Sequence, residues 1–405
     1  MIHSKFLPLT TAKRIVSLDL LRGVAVLGIL IMNIQSFSMP TAAYINPAAY
    51  GDLSGLNRWV WITSHLLASS KFMSIFSMLF GAGVLLFTER AEQKGMNCAA
   101  LHYRRMGWLL LFGLMHGFLL WAGDILVTYS LCGMLLFLFR TKRPAILLRS
   151  ALVFFLVPIL INLFLSWSMP YWPPEAIQST MESWLPPEQL IQHHLEVYRS
   201  GWIKQMELRI PENIFMQTGL FFMGTFWRAM AMMLLGMALF KWQVLSGERS
   251  RDFYMKMTMV GLVAGFLLSG AGVLLNFKHQ WTMEYSMFLG VQFNYLGSVG
   301  TALGYVGIIM LIGQSKKFRG FKKVMSSVGR MAFTNYIFMT LLATYIFYGH
   351  GLGLYGSVER IYQGCICLGI WILLISLSPL WLKRFRFGPL ESLWRILTYW
   401  NWKIS

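Results

Sequence analysis

The sequence predicts an all-α, polytopic membrane protein with about ten transmembrane helices and both termini in the cytoplasm. Of its 405 residues, 56% are hydrophobic and only 13% are charged, and the mean hydropathy is +0.56. A soluble domain carries roughly a quarter charged residues, so this composition excludes a soluble enzyme, a disordered protein and a disulfide scaffold. The aromatic content of 15% is typical of helices with Trp and Tyr at the membrane interfaces.

The apolar runs of the chain give the predicted spans. A helix needs about 20 residues to cross a hydrocarbon layer of about 30 Å, and only the fourth run is clearly shorter than that. The Trp-rich, amphipathic segment 55–70 precedes the second span, and we expect it to lie in the outer interface. The predicted spans are 15–38, 68–88, 105–122, 125–140, 147–168, 214–240, 257–275, 288–313, 331–349 and 361–382.

The basic residues fall mainly on one side of this topology. When both termini are placed inside, 26 of the 35 Lys and Arg residues lie in cytoplasmic segments, six in outer segments and three within spans. The positive-inside rule therefore predicts this orientation. The same asymmetry accounts for the net charge of +19, so we expect a lipid bilayer as the partner and no nucleic acid.

A long segment, 169–213, divides the chain into two halves. We predict an N-terminal transmembrane half, 1–168, this extracytoplasmic loop, and a C-terminal transmembrane half, 214–405, each half with five helices. The loop is rich in Glu and Pro, and such loops either cover a site or act as solvated linkers. The C-terminal half ends in a tail of alternating basic and aromatic residues, which predicts a helix lying on the anionic inner leaflet.

One polar stripe runs along the first predicted span. Asp19 and Arg22 are three residues apart and share a helix face, so they can pair. Asn33 lies 14 residues past Asp19, close to four helical turns. Ionisable groups within a span are costly and indicate function by default. The stripe is either an ion pair that locks helix packing or the lining of a ligand cavity.

A second polar pair, His116 and Asp124, lies near the outer end of the third predicted span. Imidazole is suited to proton transfer near neutral pH, and a carboxylate within reach would orient it and raise its basicity. We interpret His116 as a catalytic base and Asp124 as its orienting group, although the spacing does not show that they meet. The alternative is a hydrogen-bonded packing histidine.

Four further polar residues are candidates for binding a substrate. Lys71 lies near the start of the second span, where it either snorkels to the outer headgroups or joins a site. Arg228 lies nearer the middle of its span and could hold an anionic group. Arg330 lies at a cytoplasmic edge, with Asn335 five residues later on a different face. The four cysteines have no metal-ligand spacing, so we expect no metal site.

Several stretches together resemble the YeiB family of bacterial inner-membrane proteins. One departure is Ser392, which occupies a position where the family usually has an aromatic residue. The matching stretches are LDLLRGVAVLGILIMNI (18–34), SFSMPTAAYINPAAYG (36–51), KFMSIFSMLFGAG (71–83), HGFLLWAGDIL (116–126), GRMAFTNY (329–336) and RFRFGPLESLWRILTY (384–399).

The family is more distantly similar to transmembrane acyltransferases, including the lysosomal heparan-glucosaminide acetyltransferase. This resemblance implies a multi-pass protein of the bacterial inner membrane that moves an acyl group from cytoplasmic acyl-CoA to an extracytoplasmic glycan or small-molecule acceptor. The lysosomal enzyme has its catalytic histidine between its first motif helix and the next, and this sequence has only His65 there. The role of His116 therefore comes from its own chemistry and not from the resemblance.

Two other functions fit the same residues. A transporter or permease for a small solute or a lipid-linked substrate would also use the polar stripe and the division into five plus five helices. A non-catalytic membrane scaffold or sensor would need neither His116 nor Asp19. The sequence leaves the acyl donor, the acceptor and the oligomeric state open.

Overall fold

The computed structural model describes residues 16–400, which are mostly helical, with no strand in this range. Residues 1–15 and 401–405, on which the predicted cytoplasmic termini fall, lie outside the described residues. The α-helices are α1 Val16–Ser38, α2 Ala42–Ile45, α3 Gly55–Ala68, α4 Lys71–Gln93, α5 Cys98–Leu119, α6 Leu126–Leu136, α7 Pro144–Ser168, α8 Pro174–Trp184, α9 Glu188–Tyr198, α10 Met206–Gln217, α11 Phe226–Lys241, α12 Arg251–Lys278, α13 Met283–Tyr285, α14 Val291–Gln314, α15 Arg319–Arg330, α16 Ala332–Phe347, α17 Arg360–Arg384 and α18 Pro389–Tyr399.

Seven helical segments within residues 16–400 are long and apolar enough to cross a membrane. Each contains one of the ten predicted spans, or all but the first residues of one, so the chain is a membrane protein built from apolar helices. Their bounds are Val16–Ser38, Gly55–Gln93, Pro144–Tyr171, Met206–Lys241, Arg251–Lys278, Met283–Gln314 and Arg360–Arg384.

The other three predicted spans coincide with α5, α6 and α16. Helix α6 has 11 residues and α16 has 16, which is shorter than the ~20 residues that a full crossing needs. Helix α5 has 22 residues, but Arg104 and Arg105 lie within its first two turns and lower its hydropathy. The described residues thus have a helix at each of the ten predicted spans. Seven of these helical segments are long and apolar enough to cross a membrane.

Helix α1 is the centre of the bundle, and α4, α15, α16 and α17 pack around it. Close approach of backbones requires glycine at several crossings. A Cβ added to Gly81 of α4 would lie 2.0 Å from the carbonyl oxygen of Met233 in α11, and one added to Gly236 of α11 would lie 2.0 Å from that of Met78. These two helices therefore touch backbone to backbone, as the small residues at 81–83 indicate.

The segment 169–213 is folded rather than extended. It contains α8, α9 and the start of α10. The fully buried Arg209 of α10 donates to the carbonyl oxygen of Leu119 at the end of α5 at 2.9 Å and to Gln205 Oε1 at 2.6 Å. The Trp184 indole of α8 donates to the Trp281 carbonyl oxygen at 2.8 Å. The segment therefore covers one end of the bundle, which we call the loop end.

Helix α18 packs against the protein at the opposite end, which we call the basic end. The Trp394 indole donates to the carbonyl oxygen of Arg105 in α5 at 2.9 Å. The Glu391 carboxylate accepts from the Phe333 and Thr334 amides at 2.8 and 3.1 Å and from the Thr334 hydroxyl at 2.6 Å. Glu391 thus caps the N-terminus of α16, and the tail helix is fixed to α5 and α16.

Candidate functional site

A cavity of about 1140 Å³ runs through the bundle from the basic end to the loop end. Its walls come from α1, α4, α5, α6 and α16, with α18 at the basic end and α9 and α10 at the loop end. Such a volume exceeds the upper range for small-molecule sites, about 1,000 Å³. The cavity is therefore large enough for an extended ligand that reaches from one end toward the other.

The predicted stripe on α1 lines this cavity. Arg22 Nη1 donates to Asp19 Oδ1 at 3.1 Å, so these two side chains pair as their spacing indicates. Asp19, Arg22 and Asn33 all face the cavity. The stripe is thus both an ion pair within one helix and a part of the cavity wall.

Seven cationic side chains surround the cavity at its basic end, and we call them the basic cluster. Two of them sit against aromatic rings: the Arg105 guanidinium lies 3.7 Å from the Trp394 ring centroid, and that of Arg395 lies 4.9 Å from the Phe387 centroid. Burial lowers the pKa of Arg395 from its ordinary value. The basic cluster consists of Arg22, Arg90, Lys94, Arg105, Arg330, Arg386 and Arg395.

His116 and Asp124 meet in the structure. His116 Nδ1 lies 2.8 Å from Asp124 Oδ1, and His116 Nε2 lies 3.0 Å from the hydroxyl of Thr340 in α16. Because a carboxylate can only accept, Nδ1 carries the proton, and Nε2 faces the Thr340 hydroxyl. That hydroxyl also lies within donating distance, 3.3 Å, of the Tyr336 carbonyl oxygen. The three side chains therefore form a chain of carboxylate, imidazole and hydroxyl, in which the imidazole is held as the tautomer that a base requires.

The turn between α5 and α6 creates this pair. Helix α5 ends at Leu119, and the chain folds back within the turn that precedes α6. Asp124 Oδ2 accepts from the Val127 amide in the first turn of α6 at 2.9 Å, which holds the carboxylate in place. Asp124 lines the cavity, whereas the His116 side chain, 2% exposed, lies behind it.

A second polar group surrounds the cavity at the loop end. The Glu212 carboxylate of α10 accepts from the Tyr198 hydroxyl at 2.5 Å and from the Thr41 hydroxyl at 3.1 Å. His194 Nδ1 lies 3.9 Å from Glu212 Oε1. Glu212, Tyr198 and Thr41 all face the cavity. The loop end of the cavity is thus carboxylate- and hydroxyl-lined, in contrast to the arginines at the basic end.

Lys71 and Arg228 lie outside this cavity, in a polar junction of α4, α11 and α14. Lys71 is fully buried, and its Nζ donates to Asn294 Oδ1 at 2.6 Å and to the His65 carbonyl oxygen at 3.0 Å. It does not snorkel, because these acceptors hold it inside the bundle. Arg228 donates to the Ser298 and Ser74 hydroxyls at 2.7 and 3.0 Å and to the Tyr295 carbonyl oxygen at 3.2 Å. The junction ties three helices together.

The two C-terminal candidates have different positions. Arg330 lines the cavity, and its Nη2 donates to the Arg386 carbonyl oxygen at 2.8 Å. Asn335 is buried away from the cavity, where its Nδ2 donates to the Val328 carbonyl oxygen and to the Ser378 hydroxyl, each at 3.0 Å. Asn335 therefore joins α16 to α15 and α17.

Sequence reasoning missed several residues of the site. Thr340 carries no signal because a threonine in an apolar helix is common, and its role depends on a contact 224 positions away in sequence. Glu212 lies in a segment that contains other Glu residues, so nothing marked it as the one that faces inward. Arg90, Lys94, Arg105, Arg386 and Arg395 were predicted as cytoplasmic charges only. Within residues 16–400, no group of three His, Cys, Asp or Glu side chains is placed to hold a metal ion.

Comparisons with known proteins place the chain in a family. Residues 239–401 match the family described as "Protein of unknown function (DUF418)". A Bacillus subtilis (strain 168) protein, "Uncharacterized protein YxaH", is 34% identical, and the match covers 99% of this chain and 98% of the relative. "Uncharacterized protein YeiB" of Escherichia coli (strain K12) is 31% identical, covering 95% and 96%. No solved structure matches the chain. The chain therefore belongs to the YeiB family of membrane proteins.

Proposed function

We propose that this protein is an integral membrane acyltransferase that moves an acyl group from cytoplasmic acyl-CoA to an extracytoplasmic glycan or small-molecule acceptor. One observation carries the proposal: a single cavity joins the basic cluster at one end of the bundle to Asp124, with His116 behind it, and to Glu212 at the other. A donor rich in phosphate and a neutral acceptor could enter such a cavity from opposite ends.

The proposal includes a topology. The ten predicted helices, with α5, α6 and α16 completing the seven longer segments, would span a bacterial inner membrane in two halves, 1–168 and 214–405. With both termini inside, the basic cluster faces the cytoplasm and the segment 169–213 covers the outer side. This orientation follows the positive-inside rule, and it gives the basic cluster access to acyl-CoA.

The basic cluster suits the phosphates of CoA. The guanidinium group presents several donors in a planar fork that matches phosphate oxygens, and Arg22, Arg105, Arg330 and Arg395 all face one space. The arm that carries the thioester would extend from there past Asp19 and along the α1 stripe toward Asp124. The acyl carbonyl carbon would then lie near Asp124 and His116, the side chains proposed to accept and stabilise the proton.

The chemistry is a transfer between a thioester and an oxygen or nitrogen acceptor. The acceptor attacks the acyl carbonyl carbon, the C–S bond breaks as a C–O or C–N bond forms, and the CoA thiolate takes up the proton that the acceptor loses. His116 acts as the base for that proton and Asp124 stabilises the imidazolium that forms. Because the Thr340 hydroxyl occupies His116 Nε2 at 3.0 Å, the proton passes through this hydroxyl or the hydroxyl moves aside.

The test is direct. Purified protein is incubated with radiolabelled acetyl-CoA and a membrane extract that contains glycans and lipids, and the transferred label is measured beside the His116→Ala variant. We expect CoA binding by both proteins and transfer by the wild type only. No binding of CoA and no transfer would contradict the proposal.

A second candidate, transport of a small solute, is favoured by a different observation. Two membrane segments are interrupted by π-helical turns at Phe221–Thr225, before α11, and at Ser286–Gly290, before α14. Interrupted helices are common at transporter binding sites. Flux of a labelled solute into proteoliposomes that survives His116→Ala would favour transport over acyl transfer.

A further inference from the structure

The cavity has a side branch toward the perimeter of the bundle, between α7 and the segment that joins α10 to α11. Ile161, Asn162 and Leu165 of α7 form one wall. On the other wall, Phe215 and Met223 line the cavity and are nevertheless 55% and 45% exposed. We interpret side chains that line the cavity and remain about half-exposed as an opening in the side of the bundle.

The opening lies at the depth of hydrocarbon, in the half of the membrane nearer the loop end. Asn162 is six residues before the end of α7 at Ser168, which is about 9 Å along the helix axis. The opposite wall belongs to the apolar segment Met206–Lys241 and is continuous with the π-helical turn Phe221–Thr225. The branch therefore opens into the lipid of the loop-side leaflet.

The lining changes character along the branch. Its outer part is apolar, with Leu165, Phe215 and Met223, and it leads inward to the Glu212 carboxylate with the Tyr198 hydroxyl that donates to it. A hydrocarbon chain fits this part because Asn162, the polar side chain on its α7 wall, already donates to the Pro158 carbonyl oxygen at 2.7 Å. A carboxylate at the inner end favours an amine or a hydroxyl and disfavours an anionic group.

We propose that the acceptor is a membrane lipid whose head group carries an amine or a hydroxyl, and that it enters sideways from the loop-side leaflet through this branch. Its acyl chain lies between α7 and the segment that joins α10 to α11, and its head group lies at Glu212, facing the cavity that Asp124 also lines. This inference rests on the proposed acyl transfer and defines the class of its acceptor. A water-soluble acceptor would need no opening at the depth of hydrocarbon.

Photolabelling tests the entry route. The full-length protein is reconstituted in vesicles of phosphatidylethanolamine and phosphatidylglycerol that contain phosphatidylethanolamine with a diazirine in its acyl chain, and labelled residues are mapped by mass spectrometry. We expect label on Met216, Leu220 and Met287, which line the cavity and follow Phe215 or neighbour α14 along the chain. Label confined to the outer surface of α7, as at Leu160 and Phe164, would overturn the inference.

A blocking variant and a matched control make the test specific. Gly224 lines the cavity next to Met223, and a Cβ there would meet nothing within 4 Å, so Gly224→Trp puts a bulky side chain at the branch without a backbone clash. Gly270 of α12 is equally open and does not line the cavity, so Gly270→Trp is the control. We expect a several-fold loss of interior label in Gly224→Trp only, and equal loss or no loss in both variants would contradict lateral entry.

Binding of acetyl-CoA is measured in the same two variants to separate this inference from the acyltransferase proposal. The basic cluster lies at the opposite end of the cavity, so we expect Gly224→Trp to bind acetyl-CoA as the wild type does. Normal CoA binding without interior lipid label would refute the lipid acceptor alone. Interior lipid label without any CoA binding would refute the transfer proposal, and the inference with it.

Discussion

Replacing Asp124 by Asn should stop acyl transfer while leaving the fold nearly unchanged. The carboxylate accepts from His116 Nδ1 at 2.8 Å and from the Val127 amide at 2.9 Å. An Asn side chain keeps an oxygen for Val127 but presents its NH₂ group to His116, so the histidine proton moves to Nε2. Every group remains hydrogen-bonded, yet Nε2 can no longer accept a proton from an acceptor.

The expected magnitudes follow from these contacts. Loss of general base catalysis lowers the transfer rate by about 10²- to 10⁴-fold, whereas exchanging a charged hydrogen bond for a neutral one lowers the free energy of unfolding by about 1 kcal/mol. Asp124→Ala is the contrasting variant, because it leaves His116 Nδ1 and the Val127 amide as two buried polar groups without a partner. At about 1–3 kcal/mol for each unsatisfied group, it should be about 2–6 kcal/mol less stable.

The assay combines transfer of label from radiolabelled acetyl-CoA with thermal unfolding in detergent. We expect Asp124→Asn to unfold close to the wild-type temperature, to bind acetyl-CoA and to transfer no label. If it transfers label at the wild-type rate, the pair serves packing only and the catalytic role of His116 is wrong. If Asp124→Ala is as stable as the wild type, the two hydrogen bonds do not hold the turn.

Three further predictions concern the ends and the core of the bundle. Arg395→Gln should raise the dissociation constant for acetyl-CoA about 10- to 150-fold, since a charged hydrogen bond contributes about 1.5–3 kcal/mol. Arg384 lies outside the cavity, so Arg384→Gln should leave that constant unchanged. Titration calorimetry measures both constants. Burial raises the pKa of Glu391. The stability of the wild type relative to Glu391→Gln should therefore fall as the pH rises through that pKa. A difference in unfolding temperature between the two proteins that stays the same at every pH would contradict this. Gly81→Ala should destabilise the protein by about 3 kcal/mol or more because its Cβ would meet backbone at 2.0 Å, whereas Gly83→Ala, with 3.8 Å of space, should unfold at the wild-type temperature.

Local periodicity was sufficient to predict the α1 stripe. Asp19, Arg22 and Asn33 share a face by helix geometry alone, and that face lines the cavity. The positions of the apolar helices were predictable for the same reason, because hydrophobic length is a property of a continuous segment. Periodicity could not predict the lengths of α6 and α16, because the ends of these helices depend on the turns that flank them.

Contacts between distant segments were not predictable. Lys71 was expected either to reach the outer headgroups or to join a site, but it donates to Asn294, which is 223 positions away in sequence. Glu391 was part of a tail expected to lie on the membrane, yet its carboxylate binds the start of α16. In each case the side chain has the polarity that the sequence suggests, and only packing decides which acceptor or donor it meets.

The order of charges along the cavity argues for a direction of use. Cations gather at the basic end, Asp124 lies farther along, and Glu212 lies at the loop end, so an anionic ligand is favoured at one end and disfavoured at the other. Lys71 and Arg228 would reduce this difference in charge between the two ends if they faced the cavity. Their hydrogen bonds to Asn294 and Ser298 keep them in the junction of α4, α11 and α14. A phosphate-bearing donor and an uncharged or cationic acceptor would therefore approach from opposite ends and meet beside Asp124.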